Sequence, residues 1–459
     1  MSQIISVSTK AISKLTTPQL LKGGLYLTWV ASILILIAVI TGIQRQRYAI
    51  KTVGEDSTPS IVTAQRLKDA LAGMDAYVVK ELLVPPGQNQ VAVKGSEERY
   101  QRVAERLVAA AENISYGDKE RKPIETMQLE FGKYVAKIQQ ARDAHTRGDA
   151  NAVLVAYRAA AEIMDNKLLP AADALDEVNL RAIENTYDKE KFTSSKFLFL
   201  IVISGVLLIS ILVALQLFLA RRMRRTFNPW LLVASAIAIG FLNYTVGAFL
   251  SASQHLRIAT EDAFMSIHGL RQARALTYIA NAAESRYLLD PAFASNHEQA
   301  FLKNIAKIAQ VPNGQTFETV AAGYTIEGKK VDGFTGYLAQ ELNSMTFAGE
   351  REALIANLRI LGTYLTIDQQ LRQLERSGKH QEAIALCIGN NPGQSNWAFD
   401  EFRKANQKAF DINQAAFDKS IKQGFQDLDS FEITTPVVLS AIALLSLIGL
   451  LPRLKEYSA

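Results

Sequence analysis

Four long apolar runs divide the chain. They cover residues 24–43, 197–220, 229–250 and 435–451, and none has a charged residue in its interior. About 20 helical residues, at 1.5 Å each, match a hydrocarbon layer of about 30 Å. A buried core helix is the alternative for any one run, but four such runs in one chain favour membrane spans. The pattern therefore predicts four transmembrane helices.

The two long segments between these runs, residues 44–195 and 251–433, have apolar residues at spacings of three and four. This spacing is typical of amphipathic helices. Helix-stop signals at 85–87 and at Gly148 return the chain towards the membrane, which favours antiparallel four-helix bundles over an extended coiled coil or a solenoid. We therefore predict an all-α membrane protein with four transmembrane helices and two tandem extracytoplasmic four-helix-bundle domains.

The two halves of the chain are similar to each other. A shift of 206 residues aligns the beginnings of the long segments, and a shift of 230 aligns their ends. Residues that coincide are Glu55 with Glu261, Pro85 with Pro291, and Gly148 with Gly378. The difference of 24 residues predicts an insertion within residues 311–350, a glycine-containing stretch with little helical periodicity. We infer an internal duplication.

Basic residues cluster beside the apolar runs. The clusters lie in segments 1–23, 221–228 and 452–459, and the middle one contains Arg221, Arg222, Arg224 and Arg225. The positive-inside rule places these three segments in the cytoplasm, and both long segments outside the plasma (inner) membrane. The net charge of +5 is thus explained by contact with membrane lipid, and we exclude nucleic acid as a partner.

No constellation of reactive residues was found. Cys387 is the only cysteine, so the bundles have no internal disulfide. The five histidines lack the spacing and carboxylate companions of a zinc site. We predict no cofactor, no metal and no enzymatic activity.

One predicted helix, at residues 272–290, is unusually rich in polar groups. One interpretation is a solvated face with pairs four residues apart. The other is a face that binds a ligand or partner, since arginine holds carboxylates in a fork geometry. The candidate residues of this face are Arg271, Arg274, Tyr278, Glu284, Arg286 and Tyr287.

The arrangement of span, helical bundle and span resembles the sensory half of bacterial chemoreceptors and sensor kinases. The run QARALTYIANAAESRYLLD at 272–290, with TFAGEREA at 346–353, resembles the actinobacterial four-span membrane protein encoded beside a soluble Ser/Thr kinase and a periplasmic glutamate/aspartate-binding protein. This resemblance lies mainly in the second half. It implies a relay of amino-acid availability from an extracytoplasmic solute-binding protein to a cytoplasmic kinase.

We therefore expect a membrane receptor or signal relay. Only residues 452–459 follow the fourth span, so we expect output through a separate protein. The alternative is a non-signalling membrane scaffold or assembly subunit with docking bundles. The sequence leaves open whether the chain forms a homo-oligomer or pairs its own repeats as an internal pseudo-dimer.

Overall fold

The computed structural model describes residues 16–223, 228–326 and 329–456, without the side chains of residues 55–60 and 223. This part of the chain is almost entirely helical and has no β-strand, only an isolated bridge between Gln310 and Thr335. The α-helices in chain order are α1 (Thr17–Lys51), α2 (Thr58–Leu82), α3 (Gln90–Glu112), α4 (Asp118–Thr146), α5 (Ala150–Ile163), α6 (Leu169–Met223), α7 (Pro229–Arg257), α8 (Met265–Leu289), α9 (Ala294–Ile308), α10 (Phe317–Tyr324), α11 (Tyr337–Ser344), α12 (Glu350–Arg376), α13 (His380–Ile388), α14 (Ser395–Asp427) and α15 (Phe431–Lys455).

Within the described residues, four helical runs are long and apolar enough to cross a membrane. Only 28% to 39% of the apolar window in each run is buried inside the chain, so most of its surface is left for lipid. The runs are Thr17–Gly54, Ala150–Arg222, Pro229–Leu289 and Ser395–Lys455. The chain is an all-α, multi-pass membrane protein, as its apolar pattern predicts.

Contacts divide the chain into two compact units. The membrane unit comprises the described parts of Met1–Thr52, Asn185–Arg257 and Ser420–Ala459. The second, here called the repeat unit, comprises Val53–Glu184 (repeat 1) and Ile258–Lys419 (repeat 2). The two tandem bundles expected from the sequence are therefore parts of one compact unit.

Small residues let the helices of the membrane unit approach each other closely. Gly24 on α1 lies against the side chain of Leu215 on α6, and Gly205 on α6 lies against Leu242 on α7. A Cβ atom at either glycine would overlap its neighbour. Close approach of this kind supplies the van der Waals packing that holds helices together in lipid.

Polar contacts join the helices of the membrane unit at the ends of the apolar runs. Arg47 forms ion pairs with Asp429 at 2.8 Å and with Glu432 at 3.3 Å. The Gln46 side chain donates to the Ser253 hydroxyl at 3.2 Å. These groups therefore find partners within the unit.

Each repeat has a core of its own, and helix α8 joins the two. In repeat 1, residues such as Leu67, Met127 and Tyr134 pack in one cluster. Tyr278 and Ala282, which belong to α8 of repeat 2, are part of that same cluster. Helix α8 packs against α2 of repeat 1 and against α9 of its own repeat. Burial of apolar surface thus holds the two repeats together.

The ends of corresponding helices are built alike in the two repeats. Helices α4 and α12 are each followed by a glycine with positive φ, Gly148 at 74° and Gly378 at 76°. A left-handed glycine after a helix satisfies its last carbonyl groups and turns the chain. Asp149 then caps α5 by accepting a hydrogen bond from the backbone N–H of Ala152 at 3.0 Å.

Each repeat begins with a π-helical segment, Thr52–Ser57 in repeat 1 and Ile258–Phe264 in repeat 2. Their first residues are 206 positions apart, which is the shift that aligns the two halves in sequence. The chain passes from the membrane unit into the repeat unit at these segments, and it returns to the membrane unit within α6 and within α14. In repeat 2, the stretch predicted as an insertion contains the two short helices α10 and α11.

Candidate functional site

Helix α8, which carries the predicted recognition face, is buried along nearly its whole length. Tyr278 is 1% exposed, Tyr287 is 5% exposed and Arg286 is 7% exposed. The interpretation of this helix as a solvated face is therefore wrong. Its polar groups point into the repeat unit, where they contact side chains from both repeats.

The guanidinium group of Arg286 bridges the two repeats. It contacts the carboxylate of Asp75 on α2 at 2.6 Å and that of Asp165 at 2.6 Å. Its Nε donates to the Tyr157 hydroxyl at 2.9 Å, and the Tyr134 hydroxyl donates to Asp75 at 3.0 Å. We call these five residues the Arg286 network.

Charge and burial oppose each other in this network. Burial opposes the charge on Arg286, but the carboxylates of Asp75 and Asp165 outweigh it, so the pKa of Arg286 is raised. Burial raises the pKa of the Asp75 carboxyl, and the lowering effect of Arg286 does not cancel this rise. The pair lies in an environment of low polarity, where a lone charge would be costly.

A second group of charged residues connects the repeats through Arg274 and Tyr278. Asp69 on α2 accepts a hydrogen bond from Arg99 at 2.8 Å, and the Nε of Arg274 lies 3.3 Å from the same carboxylate. Arg99 also donates to the Tyr278 hydroxyl, and its guanidinium lies 4.6 Å from the centre of that ring. Arg274 and Tyr278, both predicted as residues of the recognition face, therefore contact repeat 1.

Arg271 and Tyr287 contact other residues of repeat 2. The guanidinium of Arg271 lies 4.3 Å from the centre of the Phe410 ring, and burial lowers the pKa of Arg271 to about 9. The guanidinium of Arg372 lies 4.4 Å from the centre of the Tyr287 ring. Neither residue belongs to the Arg286 network.

Glu284 is fully buried inside repeat 2. Its Oε2 accepts hydrogen bonds from Ser395 at 2.5 Å and from Tyr364 at 3.3 Å. Its Oε1 has no partner among the described residues. Burial, and next the nearby Asp368, raise the pKa of Glu284 to about 7. This carboxyl is therefore poised to change its charge near neutral pH.

Repeat 1 contains a cleft of about 420 Å³ between α3 and α4, with α2 as its floor. Apolar side chains cover most of its wall, and a few polar side chains complete it. The lining residues are Met74, Val78, Glu81, Val93, Ser96, Glu97, Tyr100, Tyr134, Val135, Ile138, Gln139 and Arg142. A volume of this size, with a few polar groups, is typical of a small-molecule site.

The acidic partners of α8 were not predicted from the sequence, although the duplication contains a signal for them. The shift of 206 aligns Lys68 with Arg274 and Lys80 with Arg286. Cations thus occupy corresponding positions on α2 and α8. Lys80 is itself buried, and its Nζ contacts Asn396 of repeat 2. Buried cations at matched positions indicate buried anions opposite them.

The predicted basic loop is described only at its beginning. Arg221 and Arg222 are exposed at the end of α6. Arg224 and Arg225 lie outside the described residues. Among the residues that are described, no group of three His, Cys, Asp or Glu side chains is placed to hold a metal ion.

Residues 49–188 match the model of the actinobacterial sensor domain. No curated protein and no solved structure matches the chain. The matched region covers repeat 1, whereas the resemblance in the sequence lies mainly in repeat 2. The matched region includes the cleft and four members of the Arg286 network, Asp75, Tyr134, Tyr157 and Asp165. The match supports a sensing role for this membrane protein.

Replacing Arg286 tests whether its network holds the repeats together. We expect Arg286→Leu to lower the free energy of unfolding by about 3–5 kcal/mol, because Asp75 would remain buried without its cation. The measurement is denaturant unfolding of the purified protein in detergent. The control is Arg181→Ala, since Arg181 pairs with Glu177 at the surface, where such a pair contributes about 0–1 kcal/mol. Equal effects of the two substitutions would contradict the assignment.

The pKa of Glu284 predicts a dependence of stability on pH. The ordinary pKa is 4.5 and the folded value is about 7, so between these values the folded state keeps a proton that the unfolded state has released. Stability should therefore fall as the pH rises from about 5 to 8. We expect Glu284→Gln to flatten this slope in thermal unfolding scans. Glu98→Gln, at an exposed glutamate, is the control, and an unchanged slope in Glu284→Gln would refute the prediction.

Proposed function

We propose that this protein is a membrane receptor that relays an extracytoplasmic signal to a separate cytoplasmic partner. The observation that carries the proposal is the Arg286 network. It joins repeat 1, the region that matches a sensor domain, to α8 of repeat 2 through buried ion pairs. A ligand that favours one arrangement of the two repeats would shift the population towards that arrangement.

In this proposal, the signal reaches the membrane unit through helices that continue from one unit into the other. Helix α6 runs from Leu169 to Met223 without interruption, and α7 is followed by the π-helical segment Ile258–Phe264 and then by α8. Helix shifts of about 1–2 Å transmit signals in other proteins. We propose that a change in the repeat unit moves these helices along or about their axes.

The direction of the signal follows from the basic residues. Lys22 near the start of α1, Arg221 and Arg222 at the end of α6, and Arg453 near the end of α15 belong to the short segments. The positive-inside rule then puts both termini in the cytoplasm and the repeat unit outside.

The nature of the signal is proposed from the resemblance stated above. It favours acidic amino acids, delivered by an extracytoplasmic solute-binding protein, and a soluble Ser/Thr kinase as the cytoplasmic partner. The repeat unit would dock the binding protein, and the cytoplasmic segments would contact the kinase. The competing function is that of a membrane scaffold, which docks partners without relaying a signal.

Co-purification tests the relay. The tagged full chain is isolated from membranes of its native cells with and without glutamate or aspartate. We expect the amount of a co-purified partner to depend on the amino acid and this dependence to be lost in Arg286→Leu but kept in Arg181→Ala. Partners bound in constant amounts under all conditions would favour the scaffold over the receptor.

Thiol labelling of whole cells tests the orientation. Cys387 is replaced by alanine, and a cysteine is introduced either at Leu129, which is 69% exposed in repeat 1, or at Arg222. A membrane-impermeant maleimide should label Leu129→Cys in intact cells and Arg222→Cys only after permeabilisation. The reverse pattern would place the repeat unit in the cytoplasm and exclude the proposed direction.

A further inference from the structure

The cleft of repeat 1 ends against a residue of the Arg286 network. Tyr134 lines the cleft, and its hydroxyl donates to Asp75 at 3.0 Å. The same carboxylate contacts Arg286 of repeat 2 at 2.6 Å. A molecule in the cleft would therefore touch a side chain that is one hydrogen bond from the contact between the repeats.

The wall of the cleft suits an apolar body. Met74 and Val78 form the floor, and Val135 and Ile138 come from α4. Tyr100 is 44% exposed at the rim and stacks on Phe131, with ring centres 5.5 Å apart. Met74, Val78 and Ile138 are almost fully buried, so a ligand would mainly cover the Tyr100 ring and the partly exposed Val135. Covering them removes apolar surface from water, which favours binding.

The charges of the cleft select the polar group of the ligand. The guanidinium of Arg142 is occupied, because its hydrogen bonds to Glu81 are 2.7–3.2 Å long and it also donates to Ser96 at 2.9 Å. The carboxylate of Glu97 is exposed and has no ion pair with any described residue. The cleft thus offers a free anion and aromatic faces, both of which attract a cation, and no free cation for an acid.

We propose that this cleft binds a small organic amine with an apolar body, and that Tyr134 couples its occupancy to the contact between Asp75 and Arg286. The ammonium group lies beside Glu97, and the apolar body covers Tyr100 and Val135. Displacement of the Tyr134 ring weakens its hydrogen bond to Asp75 and changes how the two repeats pack. The inference rests on the proposed receptor function and adds a site and a ligand class to it. The cleft has no free cation for the carboxylates of an acidic amino acid, so the proposed site is separate from the proposed response to acidic amino acids.

Binding is tested with 2-phenylethylamine on the full chain in lipid nanodiscs, by calorimetry. The alcohol 2-phenylethanol and the acid 3-phenylpropionate have similar apolar bodies, so they isolate the effect of charge. We expect the amine to bind most tightly and the acid least. Glu97→Gln should weaken binding of the amine about two- to fivefold, as expected for a solvent-exposed ion pair.

Two variants test whether the cleft is the site. Val135→Phe fills the cleft and should abolish saturable binding. Val108→Phe, at a valine of α3 that is 58% exposed and outside the cleft, should bind as the parent does. Absence of saturable amine binding to the parent chain, or equal binding of amine and acid, overturns the proposed ligand class.

The coupling is tested with Tyr134→Phe, which keeps the ring but removes the hydroxyl. Spin labels are attached at Val155→Cys in repeat 1 and Leu302→Cys in repeat 2, with Cys387 replaced by alanine. We expect the amine to shift the distance between the labels by about 1–2 Å in the parent and in Val108→Phe, the control outside the cleft. Tyr134→Phe should still bind the amine but show no shift. A shift that persists in Tyr134→Phe overturns the proposed coupling.

These results are separable from those of the relay. Amine binding without ligand-dependent co-purification would support the cleft and contradict the receptor function. Ligand-dependent co-purification without amine binding would contradict the cleft and leave the receptor function supported.

Discussion

The packing of the repeat unit depends on the ion pair between Arg286 and Asp75. Both side chains are almost fully buried, and each belongs to a different repeat. A buried ion pair often adds little net stability, because both charges lose their hydration. Losing one partner is costly, however, since the other charge then remains in an apolar core. A shift of α2 against α8 would separate these two groups and is therefore energetically costly.

This constraint explains why two similar bundles form one compact unit. A bundle that contained Arg286 alone would bury an unpaired cation, and one that contained Asp75 alone would bury an unpaired anion. Tyr278 adds an apolar contribution, since it packs in the core of repeat 1 while belonging to repeat 2. Each repeat thus supplies charged and apolar side chains that the other buries.

The cleft and the Arg286 network have different physical roles. The cleft is largely apolar and open to solvent, so its occupancy depends on which molecules are present in the surrounding solution. The network is buried and polar, so it tolerates few arrangements. Tyr134 belongs to both, since this buried residue lines the cleft and its hydroxyl donates to Asp75. In the proposed receptor, this side chain would couple occupancy of the cleft to the contact between the repeats.

The sequence by itself determined the features that depend on local patterns. The four apolar runs defined the membrane spans, because length and the absence of charge suffice to recognise a segment that lipid can surround. Gly148 and Gly378 marked the ends of corresponding helices, because the left-handed conformation that ends a helix depends on the glycine itself.

Only the tertiary structure showed which charges meet. Arg286 could be recognised as a polar residue on a helix, but its partners Asp75 and Asp165 are 211 and 121 positions away. Helical periodicity records which residues share a face of one helix and contains no information on the helix opposite. The cleft was missed for the same reason, since its wall is formed by three helices and exists only once they pack.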